Sequence, residues 1–141
     1  MNTHAVIIGK FNPIHKGHEW LIQKAIDEYG WENILIIIGS AQLGWPIKLF
    51  ERIKAIEEAF PKYKGLKIDV VDDNDDDNEW IAQVRYLIWR FFDYYNKVDI
   101  IAGEEYKWQK ELGTPVIWDR FSWPFPDVSS TKIREALKSK I

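Results

Sequence analysis

The chain has 141 residues, 46% of them hydrophobic and 29% charged, which fits one globular domain large enough to bury its own core. A net charge of −3 argues against a general nucleic-acid or anionic-membrane binder. The absence of cysteine excludes disulfides and thiolate metal sites. The opening residues Met1-Asn2-Thr3-His4 lack the basic, apolar and small-residue order of a signal peptide, and no apolar run is long enough to span a bilayer. A cytoplasmic protein is the expectation. Eight tryptophans are many for this length, and most are expected as core or interface anchors.

Along the chain, apolar runs alternate with helical patterns. Residues 5–8 form a buried-strand signal closed by Gly9. Residues 19–29 have helical spacing, with Leu21, Ile22, Ala25 and Ile26 on one face. A second strand spans 34–38 and is closed by Gly39. A helix over 50–60 stops at Pro61, and a third strand covers 66–71. A long helix is predicted over 79–96, a fourth strand over 98–102 and a fifth over 114–118. Glu104 and Glu105 are read as the start of a short helix, and residues 131–140 as a closing helix. This alternation implies a single-domain α/β fold, a doubly wound five-stranded parallel sheet with helices on both faces. Ligands of such sheets bind beyond the carboxyl ends of the strands, where Gly9, Gly39 and Gly103 all fall.

The run Gly9-Lys10-Phe11-Asn12-Pro13-Ile14-His15-Lys16-Gly17-His18 joins the first strand to a helix. Gly9 permits a turn, and Gly17 permits a phosphate to approach the backbone. The helix start offers unbonded N–H groups and a positive dipole end. His15 and His18 can donate hydrogen bonds to phosphate oxygens, and Lys10 can add a positive charge. The plainer alternative is a pair of surface histidines. A metal pair is disfavoured, because three histidines and no cysteine leave only carboxylates to complete a zinc cage. Further on, Val128-Ser129-Ser130-Thr131-Lys132-Ile133-Arg134 opens the last helix. Ser129, Ser130 and Thr131 are natural capping residues, and Arg134 reaches an anion at the same end. Capping alone would account for such a sequence, but beside the first motif it reads as a second phosphate site.

The first run resembles the G-x-F-x-P-x-H-x-G-H signature of the nucleotidyltransferase superfamily related to class I aminoacyl-tRNA synthetases, matching all six of its specified positions. The second is similar to that superfamily's I-S-S-T-x-I-R, with Val128 in place of isoleucine. The resemblance implies a Rossmann-like fold and attack of an acceptor phosphate on the α-phosphate of a nucleoside triphosphate. Pyrophosphate would leave, with magnesium accompanying the triphosphate. It further implies ATP contacts at Gly9, Phe11, Gly17, Ser129, Ser130 and Thr131, with His15, His18, Lys10 and Arg134 serving the reaction. Gly103 would let adenine lie against the backbone.

For the acceptor, Gly39-Ser40-Ala41-Gln42 resembles the G-S-A-Q of archaeal-type nicotinamide-mononucleotide adenylyltransferases, and Pro46-Ile47-Lys48-Leu49-Phe50-Glu51-Arg52-Ile53 parallels their P-F-T-x-x-E-R-I. Lys48 stands in place of their threonine and Lys10 in place of their arginine. The loop between Gln42 and Pro46 is shorter than theirs. The likeness implies acceptor contacts at Ser40, Lys48, Asp73 and Trp80, with Trp80 near the nicotinamide. A core tryptophan on the long helix is the equal alternative for Trp80. The rest of the acidic run, Asp75, Asp76 and Asp77, reads as a solvated loop; as an EF-hand it fails, with Asp77 in the glycine position and Gln83 in the glutamate position.

The leading expectation is therefore AMP transfer from ATP to a small nucleotide monophosphate, nicotinamide mononucleotide first among acceptors, to give NAD. Phosphopantetheine adenylyltransferase activity, cytidylyltransferase activity and a non-catalytic nucleotide-binding module are the alternatives. No nucleic-acid or membrane partner is expected, and the apolar run Trp123-Pro124-Phe125-Pro126 suits a lid or a contact within a homo-oligomer.

Overall fold

Isoleucine-rich runs too apolar to face water on either side pair with one another in a parallel sheet. A computed structural model of the chain describes residues 2–11, 14–40, 48–72, 74–93, 97–102 and 106–118. Its strands are β1 (Ala5–Gly9), β2 (Ile34–Gly39), β3 (Lys67–Val71), β4 (Asp99–Ala102) and β5 (Thr114–Ile117). Between them lie α1 (Lys16–Tyr29), α2 (Leu49–Ala59), α3 (Asp77–Phe92) and the short α4 (Gln109–Leu112). The strands are all parallel, in the order β3-β2-β1-β4-β5. Val6 lies opposite both Leu35 and Ile100, and Ile36 opposite Ile68, so β1 and β2 form the covered centre.

Alternation of side chains divides the core into two layers. Ala5, Ile7, Ile34, Ile36, Ile38 and Ile101 pack with Leu21, Ile22, Ala25 and Ile26 of α1 and Ile56 of α2. Val6, Leu35, Ile37 and Ile100 pack on the opposite face with Ile81, Val84, Leu87 and Ile88 of α3 and Leu112 of α4. Each fully buried isoleucine contributes about 1.5–3 kcal/mol relative to exposure. The crossovers change face between β1 and β4, and that switch point opens a crevice beyond the carboxyl ends of the strands.

At the amino end of the sheet, Asp99 is buried and its carboxylate accepts from Tyr29 Oη at 2.6 Å, from Asn2 Nδ2 at 2.9 Å and from the Asn2 backbone N at 3.3 Å. These bonds tie the first residues of the chain to α1 and β4.

Several helix boundaries differ from expectation, and α2 runs Leu49–Ala59, one residue earlier at each end than the expected 50–60. α1 begins at Lys16 rather than Glu19, because His15 caps it. α3 begins at Asp77 rather than Glu79, because the Asp76 carboxylate accepts from the backbone N of Asn78 at 2.9 Å. It ends at Phe92 rather than Asn96: Asp93 turns to φ 61° and its N–H closes on the Trp89 carbonyl at 2.7 Å. Aspartate is among the few side chains that accept this left-handed conformation readily. The acidic run is thus partly a helix cap, not only a solvated loop. Asp76 N also bonds Asn74 Oδ1 at 2.8 Å, and Asn74 Nδ2 bonds Glu79 at 2.7 Å. The expected short helix at Glu104 and Glu105 and the closing helix over 131–140 lie outside the described residues; the short helix within them is α4. Among the described residues, no helix is long and apolar enough to cross a membrane.

Candidate active site

The loop leaving β1 is tightly held. Phe11 is buried and adopts φ 49°, unusual for an aromatic residue. Its ring packs over Gly9, where a Cβ would meet it at 3.1 Å, so a side chain there would require the ring to shift by a few tenths of an ångström. The same ring stands edge-on to His18, centroids 4.7 Å apart at 62°. Gly9 and Phe11 thus build the floor on which His18 rests.

His15 and His18 cap α1 reciprocally. His15 Nδ1 accepts from the backbone N of Gly17 at 3.0 Å and of His18 at 3.3 Å, while His18 Nδ1 accepts from the backbone N of His15 at 3.2 Å. This is the capping-box arrangement with imidazoles in place of hydroxyl and carboxylate. A backbone N–H can only donate, so both Nδ1 atoms are unprotonated and the ring proton sits on Nε2. The rings stack with centroids 3.7 Å apart and planes at 17°. Burial lowers the His18 pKa to about 3, with the neighbouring His15 adding to the shift, and burial lowers that of His15 as well. Both rings are neutral near pH 7. The helix start is expected to offer unbonded N–H groups, but those of Gly17 and His18 are occupied by His15. The donors that the motif offers are therefore side-chain Nε2–H groups.

The end of β2 meets this loop. Lys10 is exposed, and a Cβ on Gly39 would touch its Cγ at 3.6 Å, so its stem runs beside the end of β2. Ser40 N donates to the Val71 carbonyl at 3.0 Å. Lys48 is exposed at the N-cap of α2 and makes no side-chain cap bond. Arg52 lies beneath, only 1% exposed, and bonds the carbonyls of Lys10, Gly39 and Ser40. Sequence reasoning gave Arg52 no role of its own.

On the α3 face, Trp80 is half-buried and makes an edge contact with Trp108, centroids 5.4 Å apart at 68°. Tyr106 stacks on Trp108 at 5.2 Å and 14°. A cavity of about 210 Å³ is lined by Asp77, Trp80, Ile81, Lys107, Trp108 and Glu111. Trp80 is thus both packed and on a cavity wall. Trp108 and Tyr106 were missed, although two aromatics just after the fourth strand's glycine are a readable signal. Near the end of β5, Lys24 Nζ sits 4.4 Å from the Trp118 ring and 5.3 Å from that of Trp20, tying β5 to α1. Asp73, Gly103, Ser129, Ser130, Thr131 and Arg134 lie outside the described residues. Among the described residues, no group of three or more His, Cys, Asp or Glu could hold a metal ion.

The model of the cytidylyltransferase-like family matches residues 6–136, a span that includes both histidines and the serine-rich run. The chain belongs to the cytidylyltransferase-like family. It is 27% identical over 138 residues to a nicotinamide-nucleotide adenylyltransferase of Methanospirillum hungatei, covering 94% of this chain and 75% of that protein. With the protein of the same name from Methanococcus vannielii it shares 28% over 138 residues, covering 94% and 76%. A probable nicotinate-nucleotide adenylyltransferase of a Sulfurovum species is 23% identical over 119 residues, covering 84% of this chain and 61% of that one. Among solved structures, NadR protein in complex with NAD and AMP-PNP superposes with a TM-score of 0.71 at 22% identity, covering 99% of this chain. The chain spans 43% of that NadR chain. At this identity the likeness shows the fold, a Rossmann-like α/β sheet.

Proposed function

We propose that this protein transfers AMP from ATP to nicotinamide mononucleotide, forming NAD and pyrophosphate. The observation that carries the reading is the His15–His18 pair: two stacked, neutral imidazoles whose Nδ1 atoms are tied to backbone and whose Nε2–H groups remain as donors. Membership of the cytidylyltransferase-like family and the similarity to proteins named nicotinamide-nucleotide adenylyltransferase support it.

In this reading an oxygen of the acceptor phosphate attacks the α-phosphorus of ATP. The bond from that phosphorus to the bridging oxygen of pyrophosphate breaks, and the electron pair leaves with pyrophosphate. No covalent bond to the protein forms. Nε2–H of His15 and of His18 donate to the transferring phosphoryl group, where negative charge is redistributed in the transition state. Neutral donors suit this task, since they keep their protons across the working pH range. Lys10 adds a positive charge at the same loop. Gly9, Phe11 and Gly17 shape the ATP side, and Gly103 receives adenine. Ser129, Ser130, Thr131 and Arg134 hold the β- and γ-phosphates. Magnesium enters as part of the MgATP substrate. Ser40, Lys48, Asp73 and Trp80 face the acceptor, with Trp80 beneath the nicotinamide ring. The whole chain acts as one nucleotidyltransferase domain in the cytoplasm, with small nucleotides rather than nucleic acid as its partners.

The test is a panel: folded protein with ATP or CTP, magnesium, and nicotinamide mononucleotide, nicotinate mononucleotide or phosphopantetheine. NAD and pyrophosphate from ATP and nicotinamide mononucleotide are expected. Preference for nicotinate mononucleotide, phosphopantetheine or CTP would replace the assigned substrates. ATP binding without pyrophosphate release under any arm would make the protein a non-catalytic nucleotide-binding module.

A further inference from the structure

Arg52 sits on α2, away from both histidine and serine motifs in sequence, yet its side chain ends beneath the candidate site. Ile56, one turn further along the same helix, is fully buried in the core, so Arg52 lies on the anchored face of α2. Its Nη1 donates to the carbonyl of Lys10 at 3.0 Å and of Gly39 at 2.9 Å, and its Nη2 to the carbonyl of Ser40 at 3.2 Å. The Gly39 carbonyl ends β2, that of Ser40 follows it, and the third belongs to the loop that leaves β1. One buried cation thus joins the histidine side of the crevice to the Ser40 side.

The position of the third carbonyl matters most. Lys10 O belongs to the peptide that leads into Phe11, the residue held at φ 49°. A backbone conformation this uncommon persists only where surrounding bonds over-determine it. Phe11 in turn forms the edge contact that seats His18. A chain of contacts therefore runs from the guanidinium to the Lys10 carbonyl, to the Phe11 ring and to the His18 imidazole. A planar guanidinium can serve several carbonyls from one fixed plane, whereas an ammonium on a different stem cannot reproduce that fork.

We propose that Arg52 is a positioning residue: by holding the carbonyls of Lys10, Gly39 and Ser40 together, it sets the placement of the His15–His18 donors relative to the acceptor. The inference rests on the adenylyltransferase reading for its kinetic readout but not for its structural one. It is tested in the full chain with Arg52→Lys and Arg52→Ala, and with Lys54→Ala as a control at an exposed position of the same helix. Misplacement of reacting groups by about 1 Å can cost about 10²-fold in rate. The expected result for folded Arg52→Lys is a fall in kcat of about that size, with KM for ATP changed by less than about threefold on the same scale of effect. Added guanidinium should restore part of the turnover of Arg52→Ala, and Lys54→Ala should match the wild type.

If Arg52→Ala does not fold, Arg52→Lys carries the test. Wild-type kcat in folded Arg52→Lys, or a lowered melting temperature with unchanged kcat, overturns the proposal. Should the wild-type protein make no dinucleotide, the function reading fails, and Arg52 is judged by the ¹⁵N shifts of His15 and His18. Those shifts move in Arg52→Lys if the chain of contacts is real, and identical shifts overturn it.

Discussion

The two ends of the sheet use buried polar groups in opposite ways. At the amino end, Asp99, Tyr29 and Asn2 bond mainly to one another, side chain to side chain, and close a network that ties helix to strand. At the carboxyl end, Arg52, His15 and His18 bond backbone atoms instead. Fixing loops through their carbonyls and amides leaves the imidazole Nε2–H groups as donors for a ligand. The first arrangement stabilises; the second shapes a surface. Substitutions at the two ends should therefore separate stability from turnover.

The largest effect is expected at His18. His18→Ala should lower turnover by about 10²–10³, the scale for losing one preorganised donor, with much less change in ATP affinity. Rapid-quench rates and ATP titrations check the split, and equal rates would remove His18 from the reaction. Trp80→Ala should raise KM for the acceptor about 5- to 150-fold, corresponding to about 1–3 kcal/mol for one stacked base, and leave KM for ATP nearly unchanged. An unaltered acceptor KM would return Trp80 to a packing role.

At the other end, Tyr29→Phe should cost about 1–3 kcal/mol of stability by leaving a buried carboxylate oxygen short of a donor, while kcat stays as in the wild type. Burial, the hydrogen bond to Asp99 and its negative charge all raise the Tyr29 pKa. The folded state therefore keeps the phenol proton at pH values where the unfolded chain, ionising near about 10, has lost it. Its contribution is present below about pH 10 and lost as pH rises beyond that, so denaturant titrations in alkali should show a decline that Tyr29→Phe lacks. The smallest effect separates the two duties of His15. His15→Ala should lose a cap worth about 1 kcal/mol, and His15→Asn should keep most of it, since asparagine caps well. Both should lose turnover, because neither carries the Nε2–H donor.

Much of this architecture was legible in the chain. Five apolar runs, three of them closed by Gly9, Gly39 and Gly103, marked the strands, and the alternating helices implied cover on both faces. The sequence pattern starts α1 only at Glu19, because histidine is not among the usual capping residues and nothing earlier signals a start. The sequence pattern carries α3 on to Asn96, because Tyr94, Tyr95 and Asn96 continue a plausible helical spacing, while the turn at Asp93 depends on one backbone angle. His15 and His18 were legible as residues but not as a reciprocal cap, which needs three-dimensional closure. Arg52 stood inside a quoted motif without a role, because its partners are backbone carbonyls and any sequence supplies those.

The mechanism proposed for the site depends on two neutral histidines that donate through Nε2. It is tested most directly by ¹⁵N NMR of the histidine side chains in the folded protein, followed from neutral to acid pH. His15 and His18 are both expected to show protonated Nε2 and unprotonated Nδ1 at pH 7. His18 should stay neutral as pH falls well below 6.5, its folded pKa being lowered to about 3. The associated stability, present above about pH 6.5, should then be lost as pH falls toward 3. A proton on Nδ1 of either ring, or a His18 that titrates near 6.5, would rule out this donor pair.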